Sequence, residues 1–132
     1  MYQIDSLSRI PVYEQIVEQT KRFILSGVLC PGAQMASVRS IAFEHTINPR
    51  TVLRAYNELD TAGLIKAVPG KGYFVCENAR ALLQQENHEK MHELFRLFGQ
   101  MRLAGVAEQE LIDCVKAAYG KPSKFTLKKE EQ

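Results

Sequence analysis

The chain has 132 residues, of which 45% are hydrophobic, so it can form a core and is not expected to be disordered as a whole. Its 17 lysines and arginines against 15 aspartates and glutamates give a net charge of only +2, so any basic surface for nucleic acid must be local. The three cysteines are far apart and no apolar run of about twenty residues occurs, so we expect a cytoplasmic protein with no disulfide, thiolate zinc site, cofactor or membrane span.

The first half of the chain predicts two helices, a tight turn and a third helix. Apolar residues at helical spacing between Pro11 and Gly27 predict the first helix. A short second helix follows, with Arg39 on its outward side. Asn48 and Pro49 are a preferred N-cap and a preferred first helical residue, so they predict the start of the third helix.

Two β-prone segments follow the third helix. The segments LIKAV and YFVCE predict strands, and the PGKG segment between them predicts a hairpin turn. The order of these elements predicts a winged helix-turn-helix domain over residues 1–77. We therefore expect a mainly α chain with one small β-hairpin.

The second half of the chain, residues 78–120, is polar and predicts two helices interrupted at Gly105. Two helices do not form a full core, so we expect a second copy to cover their apolar stripe in a two-fold symmetric dimer. The residues expected at this dimer contact are Leu94, Phe95, Phe98, Met101, Leu111 and Val115. An effector, if the protein has one, would bind near these helices, where Phe95, Phe98, Met101 and Tyr119 could line its pocket, although core packing also explains these four residues. Residues 121–132 are expected to form a flexible tail.

Polar and basic residues around the third helix indicate DNA binding. Arg50 and Thr51 lie in its first turn and Arg54 lies one turn later, where such side chains reach base edges or phosphates. Residues 39–54 contain three arginines and one acidic residue, a local balance of +2. Two arginines one turn apart are more often a solvated face, so the order of all the elements carries the prediction.

The predicted turn of the wing adds a cation beside this helix. Lys71 lies between Gly70 and Gly72, which let the backbone approach DNA closely, and its side chain would reach a phosphate or the minor groove. A Gly-Lys-Gly turn is more often an ordinary hairpin, so it supports DNA binding only together with the helices.

Residues 10–76 resemble the DNA-binding domain of the GntR transcriptional regulators. The resemblance rests on Y-x-Q-I in the first helix, L-x-P-G before the loop, S-V-R-x-[IL]-A, T-V-x-R-A-Y-x-x-L and G-K-G-x-F-V. The short helical second half is similar to the YtrA-type subfamily. The resemblance implies a homodimeric bacterial repressor, often of a transporter operon, that binds double-stranded DNA; we expect an inverted-repeat operator.

The motif match carries the DNA-contacting positions of the family onto this chain. They fall on Arg39, Asn48, Pro49, Arg50, Thr51, Leu53 and residues 70–72. Many members of the family have arginine at the positions of Pro49 and Leu53, so these two contacts are not carried over. Arg50 and Arg54 are expected to take their place.

Two other functions compete with this interpretation. The segment HEKMH fits a zinc-hydrolase motif with His88 and His92 as ligands and Glu89 as base, but no third histidine follows and the flanks are polar. A regulatory metal site with an acidic residue of a partner chain, or a solvated helix face, also explains the two histidines. A winged helix also serves as a protein-interaction adaptor, although the exposed arginines favour DNA.

Overall fold

The computed structural model describes residues 1–120, and the expected flexible tail at residues 121–132 lies outside the described residues. The elements are α1 (Val12–Ser26), α2 (Val38–His45), α3 (Pro49–Thr61), β1 (Ile65–Val68), β2 (Gly72–Val75), α4 (Ala79–Leu103) and α5 (Glu108–Ala118). The predicted fold class is confirmed: a winged helix-turn-helix with one antiparallel hairpin precedes a C-terminal helical region.

The chain divides into two compact units, and α4 runs through the boundary between them. The first unit spans Met1–Asn87 and the second begins at His88. The first turns of α4 belong to the first unit because Ala79 and Leu83 are buried in its core. The division into a DNA-binding domain at 1–77 and a dimerisation region at 78–120 stays a prediction.

The core of the first unit forms where α3 packs against α1, α2 and β1. On each helix the buried residues recur every three or four positions, as expected for an amphipathic helix with one face inward. The fully buried side chains of α1 and α3 include Ile16, Thr20, Ile24, Val52, Ala55, Tyr56 and Leu59. This packing fixes the orientation of α3 about its own axis.

The N-terminal segment lies on α1 through contacts that the sequence did not predict. The side-chain amide of Gln15 donates to the carbonyls of Asp5 and Ile10, both at 2.8 Å, and its oxygen accepts from the Asp5 amide at 2.9 Å. The hydroxyls of Tyr2 and Thr20 are 2.6 Å apart in the core. One buried glutamine thus satisfies three backbone groups of the N-terminal segment.

The strands of the hairpin have different bounds from those predicted, and a further segment of the chain pairs with β2. β2 begins at Gly72, which pairs with Val68, and it ends at Val75, so Gly72 belongs to a strand and not to the turn. Residues 32–35 lie along β2. The Met35 amide donates to the Tyr73 carbonyl, and the Val75 amide donates to the Ala33 carbonyl, both at 2.8 Å. This pairing satisfies backbone groups that an open strand edge would leave unpaired.

Tyr56 joins α3 to the segment that precedes α2. Its hydroxyl donates to the Ala36 carbonyl at 2.5 Å, and its ring meets the edge of the Tyr73 ring with centroids 5.0 Å apart. Burial raises the pKa of Tyr56 above its ordinary value, because the phenolate would lose its hydration in the core. The side chain therefore links α3 both to the segment before α2 and to the hairpin.

Replacing Tyr56 by Phe keeps the ring and removes this hydrogen bond, so we expect the free energy of unfolding to fall by about 0.5 to 1.5 kcal/mol. The raised pKa of Tyr56 means that the hydroxyl ionises more easily in the unfolded chain. Its contribution to stability is therefore complete below the unfolded pKa of 10.0 and is lost as the pH rises above that value. Denaturant unfolding at about pH 8 and about pH 11 should show a smaller alkaline loss for Tyr56→Phe than for the wild type.

The exposed Tyr119 provides the control for this experiment. Tyr119→Phe should change the free energy of unfolding by less than about 0.5 kcal/mol at either pH. Tyr2 also has a pKa raised by burial, so Tyr56→Phe should keep part of the alkaline loss. Equal stability of Tyr56→Phe and the wild type at both pH values would contradict this role of the hydroxyl.

Candidate nucleic-acid interface

The start of α3 is fixed by a three-residue turn and a side-chain cap. α2 ends at His45, so the turn consists of Thr46, Ile47 and Asn48. Thr46 has a φ of +52°, and the Ile47 amide closes the end of α2 by donating to the Ala42 carbonyl at 3.0 Å. The Asn48 side chain then accepts from the Arg50 amide at 2.8 Å, and Pro49 is the first helical residue, as predicted.

The outward face of α3 carries the predicted contact residues. Arg50, Leu53 and Arg54 are exposed, and Thr51 is half-buried. They lie away from the face that is buried against α1 and α2, so burial of that face turns them to solvent. Leu53, at a position where many family members have arginine, is 40% exposed and offers an apolar side chain.

Arg54 is held by an aromatic ring of α1. Its guanidinium carbon lies 3.7 Å from the centroid of the Tyr13 ring, in a cation–π contact that leaves the arginine exposed. Sequence patterns did not predict this contact. The stacking limits the conformations of Arg54 and sets its position relative to α1.

The wing tip is a tight turn supported from the side. The Lys71 amide donates to the Val68 carbonyl at 2.9 Å, and Gly70 follows Pro69 with a φ of +76°, which is typical of a type II turn. The Gln34 side chain donates to the Lys71 carbonyl at 2.9 Å. This bond holds the backbone of the tip while the Lys71 side chain stays exposed.

The backbone conformation and the surroundings of Gly72 both favour glycine. Its φ is +116°, and a Cβ added there would lie 3.3 Å from the side-chain nitrogen Nε2 of Gln34. A larger residue would therefore be strained and would push against the bond that supports the tip.

The cations of this unit are available to an external anion. Arg39 lies exposed in the first turn of α2, where Ser37 caps the helix by accepting from the Ser40 amide at 3.0 Å. Within residues 1–120, no carboxylate forms an ion pair with Arg39, Arg50 or Lys71. The structure thus places the predicted cations on α2, α3 and the wing of one unit, with their charges uncompensated by close carboxylates.

Sequence reasoning missed one exposed apolar side chain near these residues. Phe43 lies on α2 one turn after Arg39 and is 88% exposed. The helical period carried the signal: with Ile41 and Ala42 inward, position 43 must point outward. An exposed phenylalanine there offers an apolar contact to a DNA sugar or to a thymine methyl group.

The second unit exposes most of the residues predicted for dimerisation. Leu94, Phe95, Met101 and Val115 are exposed, Phe98 and Leu111 are half-buried, and α5 buries none of its residues within the chain. An apolar groove of about 390 Å³ lies between α4 and α5, lined by Phe98, Arg102, Val106, Glu108, Leu111, Ile112 and Val115. Of the predicted effector residues, Phe98 lines this groove.

The two histidines of the HEKMH segment are neighbours on the exposed surface of α4. The Nε2 atoms of His88 and His92 are 3.1 Å apart. Across residues 1–120, no group of three or more histidine, cysteine or acidic side chains is arranged to hold a metal ion. The described chain therefore does not assemble the three protein ligands of a catalytic zinc site.

None of the described helices has an apolar stretch long enough to cross a membrane.

Comparison with known proteins decides the family. The chain is 38% identical over 117 residues to the HTH-type transcriptional repressor YtrA of Bacillus subtilis (strain 168), which covers 88% of this chain and 90% of that relative. Residues 12–75 match the model of the bacterial regulatory proteins of the gntR family. The chain belongs to the GntR family. It is a DNA-binding transcriptional regulator, and its similarity to YtrA confirms the YtrA-type resemblance.

Solved structures agree with this assignment. A transcriptional regulator from Oenococcus oeni matches 90% of this GntR chain at 28% identity, with a TM-score of 0.64 and 99% of that structure covered. YtrA from Sulfolobus acidocaldarius, a GntR-family transcription factor, matches 68% of this chain and 96% of its own at 34% identity, with a TM-score of 0.53. These relatives are transcription regulators, which points away from the hydrolase alternative.

Substitutions at Asn48 can distinguish its role as the N-cap of α3 from a role in DNA binding. Asn48→Ala removes the acceptor of the Arg50 amide, so we expect the free energy of unfolding to fall by about 1 kcal/mol, measured by denaturant unfolding. Asn48→Ser keeps a capping oxygen and should stay close to the wild type. An alanine variant as stable as the wild type would contradict the cap.

The same two variants test whether the amide of Asn48 touches DNA. If the residue only starts the helix, serine should restore both stability and DNA affinity. If its side chain also contacts DNA, serine should restore stability and leave the affinity reduced.

Proposed function

We propose that this GntR-family chain is a dimeric repressor that recognises an inverted-repeat operator. The residues proposed to contact DNA are Arg39, Asn48, Arg50, Thr51, Arg54, Gly70, Lys71 and Gly72. The observation that carries the proposal is the outward face of α3, whose orientation is fixed by the core and whose arginines have no carboxylate partner within residues 1–120.

Each contact has a proposed part in recognition. Arg50, in the first turn of α3, is proposed to read a guanine edge in the major groove. Arg54, stacked on Tyr13, and Arg39 on α2 are proposed to bind the backbone or a base at the groove edge. Leu53 adds an apolar contact suited to a thymine methyl group.

The wing has a different proposed part. Lys71 would meet a phosphate or the minor groove, because its side chain is exposed at a tip whose backbone Gln34 supports. Its contribution is therefore electrostatic and independent of sequence. The adaptor alternative has no comparable support, since a protein-binding wing does not need an uncompensated cation at its tip.

The proposed dimer rests on the apolar surface of the second unit. Phe95 is 79% exposed, α5 has no buried residue, and the groove between α4 and α5 is apolar. Exposed apolar surface of this kind is typical of an interface, and a second copy would cover it in a two-fold dimer. Two recognition helices would then meet the two half-sites of an inverted repeat.

The proposal that this chain represses transcription rests on a relative and on the family resemblance. The B. subtilis relative is named a repressor, and we extend that role to this chain: occupancy of the operator would block access to a promoter. The family resemblance suggests a transporter operon as the target. An effector bound at the helices of the second unit would alter operator affinity through a coupling between the two sites.

Arg50 and Lys71 should fail in different ways when replaced by alanine. Arg50→Ala should cost about 1 to 3 kcal/mol on the operator and relax the choice of base at one position in each half-site. Lys71→Ala should weaken binding to all sequences similarly and reduce the slope of log affinity against log salt by about one. Fluorescence anisotropy with operator and scrambled duplexes, at several salt concentrations, measures both effects.

Arg22→Ala is the matched control, because it removes one exposed positive charge from α1. It should change neither the base preference nor, by more than a small amount, the affinity. If Arg50→Ala and Lys71→Ala bind as the wild type does, the proposed interface is wrong.

A further inference from the structure

His88 and His92 form a cluster that DNA binding does not use. They lie four residues apart on one face of α4, with ring centroids 4.6 Å apart and Nε2 atoms 3.1 Å apart. Both side chains are exposed. Two ring nitrogens therefore lie next to each other at the surface, within hydrogen-bond distance.

The distance between the nitrogens suits a metal ion. Zinc binds imidazole nitrogen at about 2.0 to 2.1 Å, and two such nitrogens at the angles of octahedral or tetrahedral coordination are about 2.8 to 3.4 Å apart. The observed 3.1 Å lies within this range. Histidines at positions i and i+4 of a helix are a known way of holding zinc, and neutral imidazole also suits the neighbouring transition metals.

One chain supplies only half of such a site. Within residues 1–120 no third histidine, cysteine or acidic side chain joins the pair, whereas zinc held by protein alone takes four ligands. The missing ligands must come from outside the described chain.

The surroundings of the pair favour a second copy as their source. His88, Met91, His92 and Phe95 line an apolar depression of about 360 Å³, with Met91 65% and Phe95 79% exposed. Phe95 is also one of the residues proposed for the dimer contact. A two-fold axis through this face would place the second pair of histidines opposite the first, with each pair supplying two nitrogens.

We propose that His88 and His92 bind zinc, and that the same two histidines of a second copy complete a four-nitrogen site across the two-fold axis. This inference rests on the proposed dimer. Zinc held in this way binds only the associated form, so it would stabilise the dimer by mass action and increase affinity for an operator with two half-sites.

Cobalt provides a spectroscopic probe of the proposed site. The full chain, freed of metal by dialysis against a chelator, is titrated with Co²⁺ and then with Zn²⁺. We expect the visible absorption of tetrahedral cobalt to appear, to saturate at one ion per two chains and to disappear when zinc displaces cobalt. Sedimentation of the same samples should show a lower dimer dissociation constant with zinc than without it.

Two kinds of variant show whether the pair is the ligand. His88→Gln and His92→Gln should each lose the cobalt absorption and the effect of zinc on the dimer. The double variant Gln84→His with His88→Gln keeps the number of histidines but separates the two on α4 by eight residues, about 12 Å along a helix. It should bind as weakly as the single variants.

Several results would overturn the proposal. These are saturation at one ion per chain, absorption that persists in the double variant, or no cobalt absorption in the wild type. Operator binding by the metal-free and zinc-loaded chains separates this site from the proposed function: a metal-free dimer that binds its operator, with no response to either metal, rejects the site alone. A chain that stays monomeric with and without zinc contradicts the dimer and the shared site together.

Discussion

One face of α3 is completely buried, and the packing of the first unit depends on that face. Val52, Ala55, Tyr56 and Leu59 are each 0% exposed where α3 packs against α1, α2 and β1. A helix buried along one face cannot rotate without exposing apolar side chains, so its opposite face is fixed as well. The positions of Arg50 and Arg54 at the surface are therefore a consequence of core packing, and a lost core contact would move the proposed reading face as a unit.

The same core reaches the parts of the interface that lie outside α3. Tyr56 holds the Ala36 carbonyl, and residues 32–35 pair with β2, so the segment before α2 ties the recognition helix to the wing. Gln34 extends this connection to the tip by donating to the Lys71 carbonyl. Pre-organised contacts of this kind reduce the ordering cost of binding, because the groups proposed to contact DNA are already held in place by the fold.

The elements with strong local signals were predictable from sequence, and the long-range contacts were not. Asn48 and Pro49 marked the start of α3, since capping depends on adjacent residues alone. The pairing of residues 32–35 with β2, the glutamine contacts of the N-terminal segment and the stacking of Arg54 on Tyr13 join residues far apart in sequence, which periodicity does not register. The exposed position of Phe43 could have been predicted from the helical period of α2. The proposed partner of the second unit lies outside the chain, so neither its sequence nor its fold displays it.

Recovery of bound genomic DNA tests whether two copies of this chain read two half-sites. Purified protein is incubated with sheared DNA of the source organism at about 150 mM salt, with and without a metabolite extract, and the retained fragments are sequenced. We expect the wild type to retain one or a few sites that share an inverted repeat, and Arg50→Ala should not retain these sites. Retention of random fragments, or of none under either condition, would contradict this expectation.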